Sequence, residues 1–96
     1  MISVVDIHIK NGIRPEYDIY IGRRIQYHKE FIKDSKWANR SPTLVIYEAW
    51  VRRTLWNDLD ELRGKRLGCW CITTDKLEPL KCHGQILMKL VKEREQ

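Results

Sequence analysis

Cysteine and histidine are concentrated in one stretch near the C-terminal end of the chain, LGCWCITTDKLEPLKCHGQIL. The residues are Cys69, Cys71, Cys82 and His83. Zinc commonly takes four nitrogen or sulfur ligands in a tetrahedron, so these side chains form a candidate zinc site. Their spacing is not that of the familiar CxxC knuckle, and the adjacent residues Cys82 and His83 are poorly placed to chelate one ion. The sequence therefore predicts clearly less than one equivalent of zinc and no resident metal.

The same residues also fit an anion site at the start of a helix. Unpaired amides and the positive end of the helix dipole attract anions there and lower the pKa of a thiol, and Gly84 would let a ligand approach the backbone. Cys82 could then act as a nucleophile, or His83 as a general acid or base. A purely structural alternative stays open, in which Cys69 and Cys71 are small buried residues of a core strand.

Three further residues are candidates for the same ligand site. Arg23 follows a predicted strand with Arg24 beside it, and a guanidinium here could bind phosphate bidentately, although an exposed charged loop explains the two residues equally well. Trp37 and Asn39, in SKWANR, could stack on and hydrogen-bond a base. The alternative for Trp37 is a plug at the edge of the core.

The apolar pattern predicts three strands that would position these residues. Alternating β-branched residues predict a strand over SVVDIHI, a second over YDIYIGR and a third over KRLGCWCI. The segment RIQYHKEFIKDSKWANR is ambiguous, because Ile25, His28, Phe31 and Ile32 fit a short helix whereas SKWANR has the composition of a loop.

Helices are predicted between the second and third strands and at the C-terminal end. Ser41 can cap a helix with Pro42 in its first position, and Asn57 can cap a second short helix that ends at Gly64. The stretch CHGQILMKLVKEREQ has one apolar face at helical spacing. A long helical connection between two strands favours a parallel crossover.

These elements predict a small α/β fold, a Rossmann-like sandwich of two or three layers with about three strands, a long helical crossover and a C-terminal helix. Ligands of such sheets bind beyond the carboxyl ends of the strands. The segments containing Arg23, the CWC pair and the CHG sequence should therefore converge on one edge.

Composition limits the classes of protein to consider. The 96 residues, spread without a linker, predict a single domain over 1–96, and a formal charge of +5 favours anionic partners. The apolar N-terminal stretch lacks the features of a signal peptide, and no window is long enough to span a bilayer. We expect an intracellular, cytoplasmic protein with no membrane partner and with reduced cysteines.

Four motifs in a fixed order, YIGR, SKWANR, LRGKRLGCWC and CHGQIL, resemble the domain of unknown function family 4326 over roughly residues 18–91. That family occurs in phages, large DNA viruses and microbes, which implies the host cytoplasm if the protein is viral. The resemblance implies an α/β layout similar to Rossmann-like nucleotide-binding enzymes and no settled activity. Arg40 and Gln85 depart from the family pattern, which has proline and an acid at these positions.

Two classes of function follow from the sequence. The first is an enzyme or binding protein whose pocket collects Arg23, Trp37, Asn39, Cys82, His83 and Gly84 around a nucleotide-like anion. The second is a non-catalytic basic module that binds nucleic acid or a host protein, with the cysteine cluster structural or zinc-binding. Neither catalysis nor the oligomeric state follows from the sequence.

Overall fold

The computed structural model describes residues 2–27 and 29–95. The strands are β1 (Ser3–Asp6), β2 (Ile19–Tyr20), β3 (Ile25–Tyr27), β4 (Glu30–Ile32) and β5 (Arg66–Cys69), and the helices are α1 (Leu44–Thr54), a 3₁₀ segment (Trp56–Leu62) and α2 (His83–Arg94). None of the described helices has the length and apolarity needed to cross a membrane. The mixture of helices with a small parallel sheet confirms the predicted α/β class.

The central strand of the parallel sheet is β5, in the order β1–β5–β2. Leu67 pairs with Val4 on one side and with Ile19 on the other, in parallel register. The parallel pairing of β2 with β5 confirms the predicted crossover. All three predicted strands are shorter than predicted, and β5 ends at Cys69, so that Trp70 and Cys71 lie beyond the sheet.

The two faces of this sheet pack against different partners. Val4 and Leu67 belong to the main core, which the helices cover with apolar side chains that include Val51 and Leu87. Val5 and Tyr20 contribute instead to a smaller cluster on the other face. Because successive side chains of a strand point to opposite faces, even these short strands support packing on both sides.

The segment after β2 forms an antiparallel hairpin of β3 and β4, in which Ile25 pairs with Ile32. The short helix considered for this segment is therefore wrong. That helix would have buried Ile25 and Phe31 on one face with Ile32, yet they are 38% and 55% exposed and only Ile32 of the three is in a core. His28, the remaining member of the predicted helical face, lies outside the described residues.

Helix α1 is capped by Thr43, not by Ser41. The Thr43 hydroxyl accepts a hydrogen bond from the amide of Ile46 at 3.1 Å, which satisfies one of the unpaired donors of the first turn. The Ser41 amide donates to the side-chain oxygen of Asn39 at 2.9 Å and so belongs to the preceding turn. Pro42 consequently precedes the helix.

The second predicted helix is the 3₁₀ segment, and Asn57 lies inside it. Residues three apart share one face of a 3₁₀ helix, which places Leu59 and Leu62 together in the core. Gly64 follows at a φ of 70°, which confirms its predicted role in ending the helix.

An ion pair fixes the start of β5 beside the start of β2. The Asp18 carboxylate accepts hydrogen bonds from the Arg66 amide at 2.7 Å and from its guanidinium at 3.1 Å. These side-chain and backbone bonds from Arg66 lower the pKa of Asp18 from its ordinary 3.8 to about 2.

We expect Asp18→Asn to be less stable than the wild-type protein at neutral pH, with the difference shrinking as the pH falls. A carboxyl whose pKa is lowered by folding stabilises the protein above its unfolded pKa, and that contribution is lost as the pH falls from about 4 towards 2. Melting temperatures of both proteins at pH 7, 4 and 2.5 test this. Glu16→Gln is the control, because Glu16 is 85% exposed and contacts Arg66 through one 3.3 Å pair. A difference that stays constant over this pH range would contradict the prediction.

Candidate functional site

A cavity of about 440 Å³ lies where β2 and β5 end and α2 begins. This edge is where the sequence predicted that the unusual segments would converge. A second cavity of about 400 Å³ lies near the opposite ends of the strands, beside Ile2 and Gly64, and no arginine lines it. The residues that line the first cavity, called the strand-end pocket below, are Tyr20, Gly22, Arg23, Arg24, Ile25, Asn39, Cys69, Trp70, Cys71 and His83.

Two arginines on the rim give the strand-end pocket its positive charge. Nε of Arg23 donates to the backbone oxygen of Asn39 at 2.8 Å, and the Tyr20 hydroxyl donates to the backbone oxygen of Arg23 at 2.6 Å. The guanidinium of Arg24 lies 5.5 Å from the centre of the Phe31 ring. Within residues 2–27 and 29–95, no carboxylate pairs with Arg23 or Arg24. Carboxylate partners do contact Arg14, Arg40, Arg52, Arg63, Arg66 and Arg94.

His83 forms part of the pocket wall and is held by the end of β2. Its Nε2 lies 2.6 Å from the backbone oxygen of Ile21, so this nitrogen carries the proton and donates it. Burial lowers the pKa of His83, which makes the neutral imidazole the stable form. Nδ1 is then unprotonated and lies 3.9 Å from the sulfur of Cys82. Nε2 is committed to the backbone, so only Nδ1 retains a free lone pair.

The three cysteines form a compact cluster beside the pocket. The sulfurs of Cys69, Cys71 and Cys82 all lie within 4.8 Å of one another. Cys69 and Cys82 are buried, whereas Cys71 is exposed, so the structural alternative of two buried strand cysteines fails for Cys71. The interaction with the Cys82 thiol lowers the pKa of Cys69 to about 6, and the same interaction together with burial raises the pKa of Cys82. The low pKa therefore belongs to Cys69, on the strand, and not to Cys82, at the helix start.

Two of the amides at the start of α2 are occupied within the protein. The amide of Gly84 donates to the sulfur of Cys82 at 3.4 Å, and the amide of Gln85 donates to the Cys82 backbone oxygen at 3.0 Å. A Cβ atom on Gly84 would lie 2.7 Å from Val4 Cγ2 and 3.0 Å from Ile21 Cδ1. Gly84 therefore permits close packing of the helix on the sheet.

The side-chain amide of Gln85 forms hydrogen bonds to the preceding loop through both its oxygen and its nitrogen. Its oxygen accepts from the amides of Lys81 at 2.6 Å and Cys82 at 3.0 Å. Its nitrogen donates to the backbone oxygens of Lys76 at 3.0 Å and Pro79 at 2.9 Å. The amide at this position, where the family resemblance predicts an acid, is thus matched to a loop that presents both donors and acceptors.

The predicted ligand residues separate into two groups. Arg23, Asn39 and His83 line the strand-end pocket, whereas Trp37, Cys82 and Gly84 do not. Trp37 is 2% exposed and its backbone oxygen accepts from the Tyr47 hydroxyl at 2.7 Å, in accord with the alternative of a core plug.

The pocket also contains the aromatic side chain of Trp70, beside that of Tyr20, and Trp70 is not among the ligand residues predicted from the sequence. Its Nε1 donates to the Tyr20 hydroxyl at 2.7 Å. The position of Trp70 at a strand end, between two cysteines, was the signal that could have identified it. Arg24 was likewise considered only as a companion of Arg23.

The fold and the site together define a class, a small α/β domain with a cysteine-lined, arginine-rimmed pocket at the carboxyl ends of a parallel sheet. The chain belongs to the family described as Domain of unknown function (DUF4326), whose sequence profile matches residues 5–93. This confirms the resemblance identified from the motifs and extends it to β1. The chain is similar to an uncharacterised protein of Acanthamoeba polyphaga mimivirus, with 33% identity over 86% of this chain and 73% of the relative. No solved structure matches the chain.

We expect Gly84→Ala to destabilise the protein by about 1–3 kcal/mol, because the added methyl meets the stiff side chain of Val4. The usual gain of alanine over glycine in a helix, about 1 kcal/mol, would offset only part of this cost. Urea unfolding of Gly84→Ala, Val4→Ala and the double variant tests the prediction. The free energy of unfolding should fall less in the double variant than the sum of its decreases in the two single variants, because the shorter side chain at position 4 makes room for the methyl. Full additivity would contradict it.

Gln85→Glu should lower the free energy of unfolding by about 1–3 kcal/mol at neutral pH. One carboxylate oxygen would then face two backbone oxygens and would have no proton to donate to them. Protonation restores a donor, so folding raises the pKa of this carboxyl and the deficit shrinks as the pH falls from 7 towards 4. Urea unfolding at several pH values measures the deficit against the wild-type protein. Gln85→Met is the control, because its deficit should not depend on pH in this way. Wild-type stability of Gln85→Glu at pH 7 would refute the prediction.

Proposed function

We propose that the strand-end pocket binds a small phosphate-bearing anion such as a mononucleotide. The observation that carries the proposal is the pair Arg23 and Arg24, which lie on the pocket rim with no carboxylate partner in the described part of the chain. Most other arginines are neutralised in ion pairs. A guanidinium that keeps its charge beside a cavity is suited to recognise phosphate through paired hydrogen bonds.

The orientation of Arg23 supports this role. Its Nε is fixed by the Asn39 oxygen at 2.8 Å, so the guanidinium plane is held while its two terminal nitrogens remain for a ligand. Holding the group in advance reduces the entropy lost on binding. A charge-assisted bond from such an arginine contributes roughly 1.5–3 kcal/mol.

The remaining walls suit the organic part of a nucleotide-like ligand. Trp70 and Tyr20 supply aromatic surface, and their mutual hydrogen bond of 2.7 Å fixes the indole in place. The neutral His83 adds a polar wall without a competing charge. A volume of about 440 Å³ falls within the range of roughly 300–1,000 Å³ typical of small-molecule sites.

We expect millimolar AMP and inorganic phosphate to raise the melting temperature, and Arg23→Ala to weaken binding of both about tenfold or more. The melting temperature of Arg23→Ala without ligand should stay close to that of the wild-type protein, because an exposed arginine contributes little to folding. Isothermal titration calorimetry measures the affinities. Arg53→Ala is the matched control, since Arg53 is exposed on α1 and its removal changes the net charge equally.

Two outcomes would overturn the proposal. Equal affinity in Arg23→Ala and the wild-type protein would remove Arg23 from the site, and equal weakening in Arg53→Ala would reduce the effect to net charge. Binding of a single-stranded oligonucleotide that falls steeply with salt, and that AMP does not compete with, would favour the basic interaction module.

A further inference from the structure

The cysteine cluster has a geometry that the spacing of its residues in the chain does not suggest. Cys71 leaves the sheet after β5 ends at Cys69, and Cys82 approaches from the start of α2. The three sulfurs consequently lie within 4.8 Å of one another. Three sulfurs bound to one zinc ion lie roughly 3.8 Å apart, given Zn–S bonds of about 2.3 Å, so shifts of less than about 1 Å would close the cluster around an ion.

His83 does not belong to this cluster. The group of ligating atoms that lie within 4.8 Å of one another contains only the three sulfurs among the described residues. Nδ1 of His83 lies 3.9 Å from the sulfur of Cys82 but not within 4.8 Å of all three sulfurs, and Nε2 is committed to the Ile21 oxygen at 2.6 Å. The objection that adjacent residues chelate poorly therefore does not apply, because Cys82 contributes without its neighbour.

The cluster also has an open side. Cys69 and Cys71 line the strand-end pocket, whereas Cys82 is buried and does not. An ion bound by the three sulfurs would thus have protein on one side and the pocket on the other. Three protein ligands with a fourth position open to solvent or substrate is the arrangement of catalytic rather than structural zinc sites.

We infer that Cys69, Cys71 and Cys82 bind one zinc ion through their three sulfurs, with its fourth coordination position open to the strand-end pocket. Each ligating thiol gives its proton to the solvent on binding. Three thiolates and Zn²⁺ carry a net charge of −1, which Arg23 and Arg24 on the pocket rim counterbalance. The fourth position takes water or an oxygen of a ligand in the pocket. The inference rests on the sulfur geometry and not on the proposed binding of a phosphate-bearing anion.

Cobalt and zinc titrations of reduced, metal-stripped protein in a phosphine reductant test the inference. Co²⁺ should give thiolate-to-cobalt charge-transfer absorption that saturates at one equivalent and is removed by Zn²⁺. Imidazole should shift the d–d absorption of the cobalt protein, because it replaces the solvent ligand. Competition with a chromogenic chelator measures the zinc affinity. Cys71→Ser should weaken the zinc affinity by at least about 100-fold. Loss of an outer-shell partner costs up to about 100-fold, and loss of a direct ligand should cost at least as much.

Cys71→Ser is the decisive variant because Cys71 is exposed and its replacement leaves the core intact. His83→Gln, which keeps a side-chain donor for the Ile21 oxygen, should retain one equivalent of zinc. Wild-type zinc affinity in Cys71→Ser would overturn the three-sulfur site, as would loss of binding in a His83→Gln variant with an unchanged melting temperature. Absence of saturation at one equivalent of Co²⁺ would overturn metal binding, and a cobalt spectrum unaffected by imidazole would overturn the open position. Absence of AMP and phosphate binding at millimolar ligand, alongside stoichiometric zinc, would contradict only the proposed function.

Discussion

The close contact between the start of α2 and the end of β2 is the constraint on which the site depends. Gly84 has no side chain where Val4 and Ile21 press against the helix, and this allows His83 to reach the Ile21 backbone oxygen at 2.6 Å. The same approach brings the sulfur of Cys82 near those of Cys69, the last residue of β5, and Cys71, which follows it. A larger residue at position 84 would move the helix away from the sheet. The imidazole of His83 would then lose the Ile21 oxygen, and the sulfur of Cys82 would move away from the other two sulfurs.

The shortness of β5 determines how the cysteines are presented. Side chains two apart on a continuous strand share one face and the same burial. Because the sheet ends at Cys69, the chain turns and Cys71 becomes exposed while its sulfur stays near that of Cys69. Trp70 meanwhile packs over the smaller cluster and reaches the Tyr20 hydroxyl. One strand end therefore supplies a buried thiol, an exposed thiol and an aromatic wall to the same pocket.

The pocket receives its formal positive charges from two arginine side chains. Capping interactions occupy the amides of Gly84 and Gln85 at the start of α2. Arg23 and Arg24 keep their charge, while an arginine such as Arg66 is neutralised by Asp18. Within the described residues, the arginines thus divide into those that are paired with carboxylates, such as Arg66, and those that are not, which include Arg23 and Arg24.

The sequence by itself determined the α/β class, the parallel crossover and the convergence of Arg23, Asn39 and His83, because apolar periodicity and strand order decide which segments meet at one sheet edge. The family followed separately, from the resemblance of four short motifs. The sequence left the segment that contains Ile25–Tyr27 ambiguous, with a short helix as the element considered, whereas pairing with β4 makes this stretch a strand of a hairpin. It also misplaced the helix cap by two residues and assigned Gly84 to a ligand. Tertiary structure alone decided that Trp70 faces the pocket, that Trp37 is buried and that three sulfurs meet. These facts depend on where a strand stops and how closely a helix packs, which are properties of contacts between segments distant in the chain.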